Sequence, residues 1–187
     1  MPDYTDDLIK SILRSVKVIA MVGASGNEMR PSYFAMKYLL SKGFIIHPIN
    51  PGMAGKEILG QKVYATLKEV LAPVDMVDIF RSAEFAPKIV AEALAEKERL
   101  GFKIVWMQLG IISEEAAAMA ESAGLTVIMD RCPKIEYGRL SGEIGWMGVH
   151  RKVIDNRKPK LFSKGGSLKR EDKSSPAVPA AKDGGTT

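Results

Sequence analysis

Two patterns in this chain predict an α/β fold: a Rossmann-like, doubly wound, five-stranded parallel sheet with helices on both faces. Short β-branched-rich apolar runs alternate with helix patterns, and a small-residue turn leads from the first run into a proline-started helix. A third observation agrees with them. Gly43, Gly101 and Gly124 each stand just past a helix pattern, where a left-handed cap residue is wanted.

The elements follow in order. Leu8, Ile9, Ile12 and Leu13 lie at helical spacing and predict a short amphipathic helix ahead of the sheet. Strand runs occupy 16–22, 44–49, 76–80, 104–107 and 126–129, each apolar enough to be buried on both faces. Helix patterns lie at about 31–42, 66–71, 84–100 and 114–123, the last opened by Ser113 as N-cap with Glu114 and Glu115 behind it. Right-handed crossovers and a phosphate-type turn after the first strand suggest the order 3-2-1-4-5, counting the five runs along the chain. Ligands in such sheets bind beyond the carboxyl ends of the strands, where the order reverses. That reversal would set the 23–30 turn beside Gln108, Leu109 and Gly110, with Asn50-Pro51 and Phe80-Arg81 extending the groove. Past Asp130 the alternation lapses. The surface at 131–150, with Tyr137, Trp146 and Met147, is expected either to cover the sheet edge or to make a dimer contact.

The formal charge of +5 resolves into two regions. Residues 151–187 hold 10 Lys/Arg against 4 Asp/Glu, whereas residues 1–150 hold 17 against 18. The expected organisation is a domain over 1–150 and a basic, Ser-, Pro- and Gly-rich tail over 151–187 that lacks the periodicity to fold alone. With its cations interleaved by Pro, Ser and Gly rather than aromatics, the tail reads as solubilising, and nucleic-acid binding is not implied. No apolar run approaches the roughly 18 residues of a membrane span. The acidic start argues against a leader, and a single cysteine, Cys132, suits a reducing, cytoplasmic setting. His47, His150 and the scattered acids form no metal-ligand pattern.

The turn carries the chemistry. Gly23, Ala24, Ser25 and Gly26 are small enough for backbone to approach a phosphate, Ser25 and Asn27 add side-chain hydrogen bonds, and a helix amino terminus follows. The dinucleotide fingerprint G-x-G-x-x-G does not fit, because Ser25 stands at the second glycine. Arg30 precedes Pro31 and is therefore biased to extended backbone, which throws it toward the groove mouth. After the second strand an NAD site wants an acid for the ribose diol, yet this chain has Asn50-Pro51 and then a glycine loop bearing Lys56. Absence of the acid with a nearby lysine favours a ligand with an added ribose phosphate, NADP or coenzyme A. Arg81 at the end of the third run suits either the same groove or a pairing with a neighbouring acid, and Phe80 suits the flank of an adenine or the core. Cys132 is expected at the ligand edge with no base beside it, structural in the first instance.

Read together, several segments resemble the small stand-alone CoA-binding protein family, whose fold is similar to the nucleotide-binding domain of the succinyl-CoA synthetase alpha subunit. They are Val22-Gly23-Ala24-Ser25 with Arg30-Pro31-Ser32, the Pro48–Pro51 stretch, 74–81, 105–110 and 129–137, and the resemblance covers about residues 5–141. It implies coenzyme A or an acyl-CoA bound by its nucleotide end. Gly23, Ala24, Ser25 and Arg30 would hold phosphates, Asn50, Pro51, Phe80 and Arg81 would border the adenosine, and Gln108, Leu109 and Gly110 would face the pantetheine. Lys56 is inferred to meet the 3′-phosphate. The second domain and phosphorylatable histidine of the synthetase have no counterpart, so the expectation is a binding, sensing or presenting protein with no catalytic residue of its own, acting with a protein partner or as a homo-oligomer. The competing expectation is a small NADP-linked oxidoreductase or nicotinamide redox sensor. A further expectation is that Cys132 forms a mixed disulfide with the CoA thiol under oxidation.

Overall fold

The computed structural model describes residues 3–71 and 73–142; the expected tail over 151–187, with Trp146, Met147 and His150, lies outside the described residues. Along the chain run α1 (Asp6–Ser15), β1 (Val18–Val22), α2 (Pro31–Ser41), β2 (Ile45–Ile49), β3 (Glu57–Ile58), β4 (Gln61–Lys62), β5 (Met76–Ile79), α3 (Ala86–Ala95), α4 (Lys97–Leu100), β6 (Ile104–Met107), α5 (Glu114–Ser122), β7 (Thr126–Ile128) and α6 (Pro133–Leu140). Five of these strands form one parallel sheet, and β3 and β4 pair as a small antiparallel hairpin. The fold class is the predicted one.

The strand order is not. The sheet runs β2-β1-β5-β6-β7, which is 2-1-3-4-5 in the count of the five long strands rather than 3-2-1-4-5. The physical reason sits at Pro48. Its carbonyl accepts from Tyr64 N–H at 2.9 Å on the side away from β1, so its nitrogen, which has no hydrogen to donate, also faces the outer edge. Proline is tolerated on an edge strand and disfavoured in a central one. All four residues of β5 are buried, which suits the interior position it takes beside β1. The order therefore reverses between β1 and β5. Phe80-Arg81, not Gln108-Leu109-Gly110, lies directly beside the start of the 23–30 turn.

Alternation along the strands divides the core in two. Ile19, Met21, Met76, Ile104, Trp106 and Ile128 pack with Ile9, Ile12 and Leu13 of α1, Met36 and Leu39 of α2, and Tyr137 of α6. Ala20, Val77, Ile79, Val105, Met107 and Val127 pack with Ile89, Val90 and Ala93 of α3 and Ala116, Ala117 and Ala120 of α5. Crossovers of one hand that run in opposite directions from β1 must cover opposite faces, which is why α2 and α3 are separated by the sheet.

Capping follows the sequence closely. Gly43, Gly101 and Gly124 have φ of +89°, +77° and +78°, and Ser113 Oγ accepts from Ala116 N–H at 3.3 Å. At the amino edge of the sheet, Asp75 Oδ2 accepts from the N–H groups of Lys17 and Val18 at 2.8 and 2.9 Å. Two helix predictions change. The 66–71 pattern yields one short 3₁₀ turn at Leu67–Glu69, and 84–100 divides into a 3₁₀ turn, α3 and α4.

The lapse after Asp130 conceals a helix. α6 starts on Pro133 in its first turn and is tied down by Arg139, whose guanidinium reaches Asp6 and Glu136, each at 2.7 Å. Those two carboxylates raise the Arg139 pKa and hold it charged. Tyr137 on α6 is buried, edge-on against Tyr38 and Phe44.

Candidate ligand-binding site

The 23–30 turn leaves β1 through a residue that has to be glycine. Gly23 has φ +87°, and a Cβ there would lie 2.9 Å from Arg81 Cδ and 3.0 Å from the Phe80 carbonyl oxygen. Its N–H donates to the Ile49 carbonyl at 2.9 Å, linking it to β2 as well. Ala24 is buried, and a Cβ on Gly26 would meet Met53 Cε at 2.8 Å. Beyond Gly26, Ser25 Oγ accepts from Asn27 N–H at 3.1 Å and Asn27 Oδ1 accepts from Met29 N–H at 2.9 Å, two side-chain turns that shape the loop. Arg30 is extended, φ −88° and ψ 141°, as a residue before proline should be, and its exposed side chain makes no capping bond to α2.

Asn50 explains the missing acid after β2. Its Nδ2 donates to the Ala24 carbonyl at 2.7 Å while its Oδ1 accepts from Gly52 N–H at 2.9 Å. A carboxylate has no hydrogen to offer Ala24, so this joint requires an amide. Asn50 and Met53 thus close against Gly23–Gly26 from one side, with Pro51 exposed between them, and Phe80 and Arg81 close from the other. The Arg81 guanidinium lies 5.0 Å from the centre of the exposed Phe85 ring.

From this cluster an open cleft of about 500 Å³ runs across the carboxyl ends of β5 and β6. Met29, Pro31 and Phe34 form one wall, Cys132, Lys134 and Ile135 of the α6 start form the other, and Phe80, Gln108 and Leu109 lie between. Both walls are helix amino termini opened by proline, at Pro31 and Pro133. Of the sequence candidates, Phe80, Gln108 and Leu109 line the cleft, and Arg30 is flanked by two residues that do. Gly110 does not: with φ +75°, its N–H is spent on Asp130 Oδ1 at 2.8 Å, which pins the turn from behind. Lys56 is exposed where the hairpin begins, near the Met53 side of the turn and outside the cleft lining.

Beneath the cleft is a residue that sequence reasoning passed over. Asp78 has no exposed surface, and both its oxygens accept from Gln108 Nε2, at 2.8 and 3.1 Å. Burial pushes its carboxyl up to about 7, a shift that the hydrogen bond from Gln108 only partly opposes. The signal was available: Asp78 is the one charge inside an otherwise apolar strand run. Burial also raises the Cys132 thiol, with the Asp78 carboxylate adding to the effect. Cys132 therefore lines the cleft as a protonated thiol, poorly nucleophilic and little suited to forming the expected mixed disulfide. His47 is likewise held neutral by burial, and its Nε2 has no partner among the described residues.

A model of the CoA binding domain matches residues 17–138, which include the whole parallel sheet and both walls of the cleft. The chain belongs to the CoA-binding domain family. This CoA-binding-domain protein is 40% identical over 129 residues to YneT of Bacillus subtilis strain 168, an uncharacterised protein, spanning 69% of this chain and 91% of that one. It is 27% identical over 147 residues to acetate–CoA ligase (ADP-forming) I of Archaeoglobus fulgidus, covering 75% of this chain but 21% of the ligase. A hypothetical protein from Pyrococcus horikoshii OT3 has the same fold, with TM-score 0.68 and 34% identity, covering 75% of this chain and 99% of that one. The CoA-binding-domain chain thus matches nearly the whole of two small proteins and one part of a large ligase. Among the described residues no helix is long and apolar enough to cross a membrane, and no group of three His, Cys, Asp or Glu could hold a metal ion.

Proposed function

We propose that this protein binds coenzyme A, or an acyl-CoA, with the nucleotide end at the 23–30 turn and the pantetheine arm along the cleft. It acts as a binding, sensing or presenting protein for the cofactor rather than as a catalyst. One observation carries the reading beyond family membership: Phe80 joins the turn to the cleft. Its carbonyl abuts Gly23 and the residue lines the cleft, so one long ligand can follow a continuous path from loop to helix pair. The exposed cations Arg30 and Arg81 suit the phosphates, and Lys56 beside the Met53 loop suits the 3′-phosphate. A largely apolar cleft with one amide in its floor suits an arm of methylenes and amides. Binding without turnover is favoured because the thiol in the cleft is kept protonated and Asp78, the acid beneath the cleft, is engaged by Gln108.

The test is thermal unfolding of the protein with CoA, dephospho-CoA, NAD, NADP or ATP. At 100 times its dissociation constant a true ligand stabilises by about 2.7 kcal/mol. CoA is expected to raise the midpoint most and dephospho-CoA less. A rise with NADP and none with CoA would overturn the proposal.

A further inference from the structure

Asp78 stands mid-strand in β5, in register with Met21 on one side and Trp106 on the other, on the sheet face covered by α1, α2 and α6. The only group among the described residues that donates a hydrogen bond to its carboxyl is Gln108 Nε2, at 2.8 Å to one oxygen and 3.1 Å to the other. An ionised carboxylate can only accept, so it decides which end of the glutamine amide turns inward. The NH₂ goes to the acid and Oε1 is left on the opposite side. Gln108 lines the cleft, and its Oε1 meets no donor among the described residues. A lone glutamine could present either end of its amide to a ligand. A glutamine clamped by a buried acid presents one.

We infer that Asp78, in its ionised form, is a positioning residue that locks the Gln108 amide with Oε1 toward the cleft, where it accepts a hydrogen bond from a secondary amide N–H of the bound arm. This rests on the CoA reading, since pantetheine carries two such amides. It adds a rule of selection that the reading lacks. Amide-bearing arms are matched, whereas an arm offering only acceptors there, a carboxylate or an ester, leaves Gln108 unpaired.

Calorimetric titration at pH 8, where Asp78 is ionised, tests this with CoA and with adenosine 3′,5′-bisphosphate, which has the nucleotide end and no arm. Asp78→Asn keeps the shape but can donate to Gln108 Oε1 and so releases the clamp. It is expected to weaken CoA by about three- to tenfold, the worth of one hydrogen bond, and to leave the bisphosphate unchanged. Gln108→Met, which removes the Oε1 acceptor, should do the same, and the double variant should be no weaker than either single one. The side-chain amide protons of Gln108, observed by ¹⁵N NMR, should be protected from exchange in the native protein and lose protection in Asp78→Asn. Unchanged CoA affinity in Asp78→Asn, or equal weakening of both ligands, would overturn the inference while leaving CoA binding intact. Native protein that binds no CoA would instead overturn the underlying reading, and this inference with it.

Discussion

At the turn, main chain meets main chain. Gly23 donates to Ile49, the Asn50 amide spans Ala24 and Gly52, and the stem of Arg81 fills the space that a Cβ on Gly23 would need. At the cleft, by contrast, two helix starts stand apart over a floor of side chains, and its polar centre depends on one amide and one acid. The first region gains its shape from closure and tolerates no added atom at Gly23. The second gains its chemistry from a buried charge held by a single partner, which leaves room for a ligand and costs stability. Changes to the closed backbone at Gly23 should therefore act on folding, and changes at the cleft, or at the exposed Arg30, on binding and pH response.

The largest effect expected from this contrast is at Gly23. Gly23→Ala places a Cβ in a left-handed conformation and against a backbone carbonyl, which cannot move aside as a flexible side chain would. Destabilisation of about 2–4 kcal/mol is expected in urea unfolding. A loss below about 1 kcal/mol would mean that the turn is not closed as described.

The next effect is the pH response of Asp78. Burial raises its carboxyl from 3.8 to about 7, so between those values the folded protein keeps a proton that the unfolded chain has released. Stability from this group therefore falls as pH rises from about 4 to about 7 and levels off above. The native protein should lose about 2 kcal/mol between pH 5 and pH 7 relative to Asp78→Asn. Parallel stability curves for the two proteins would refute the buried charge.

The smallest effect on stability, and the sharpest on binding, is expected at Arg30. Its side chain is exposed and caps nothing, so Arg30→Ala should change the unfolding free energy by less than about 0.5 kcal/mol. A charged hydrogen bond to phosphate is worth about 1.5–3 kcal/mol, so CoA affinity should fall by about tenfold or more. Unaltered affinity would remove Arg30 from the site.

Much of the fold was legible because local rules suffice for it. Strands buried on both faces advertise themselves as apolar runs, and the bounds of all five long strands lie within two residues of those runs. The caps at Gly43, Gly101, Gly124 and Ser113 follow from backbone conformation and a hydroxyl's reach, both local. α6 escaped notice because Gly138 interrupts its pattern and its stability comes from Arg139 reaching α1. The strand order was half visible in Pro48, whose missing donor marks an edge, but that clue acts only once a neighbour is supplied. Of the candidate site, the turn and Gln108 were singled out by residue type. Asp78 was not, because its role appears only when β6 brings Gln108 within 2.8 Å.

The sequence by itself determined the α/β class, the strand and cap positions, and membership of the CoA-binding domain family, because each depends on neighbours within a few residues or on motifs in order. Only the tertiary structure decided which strand lies beside β1, that Asn50 is needed as an amide, and that a buried acid orients the Gln108 amide. These depend on atoms from distant segments meeting at hydrogen-bond distance, where the direction of a single donor settles what the site can accept.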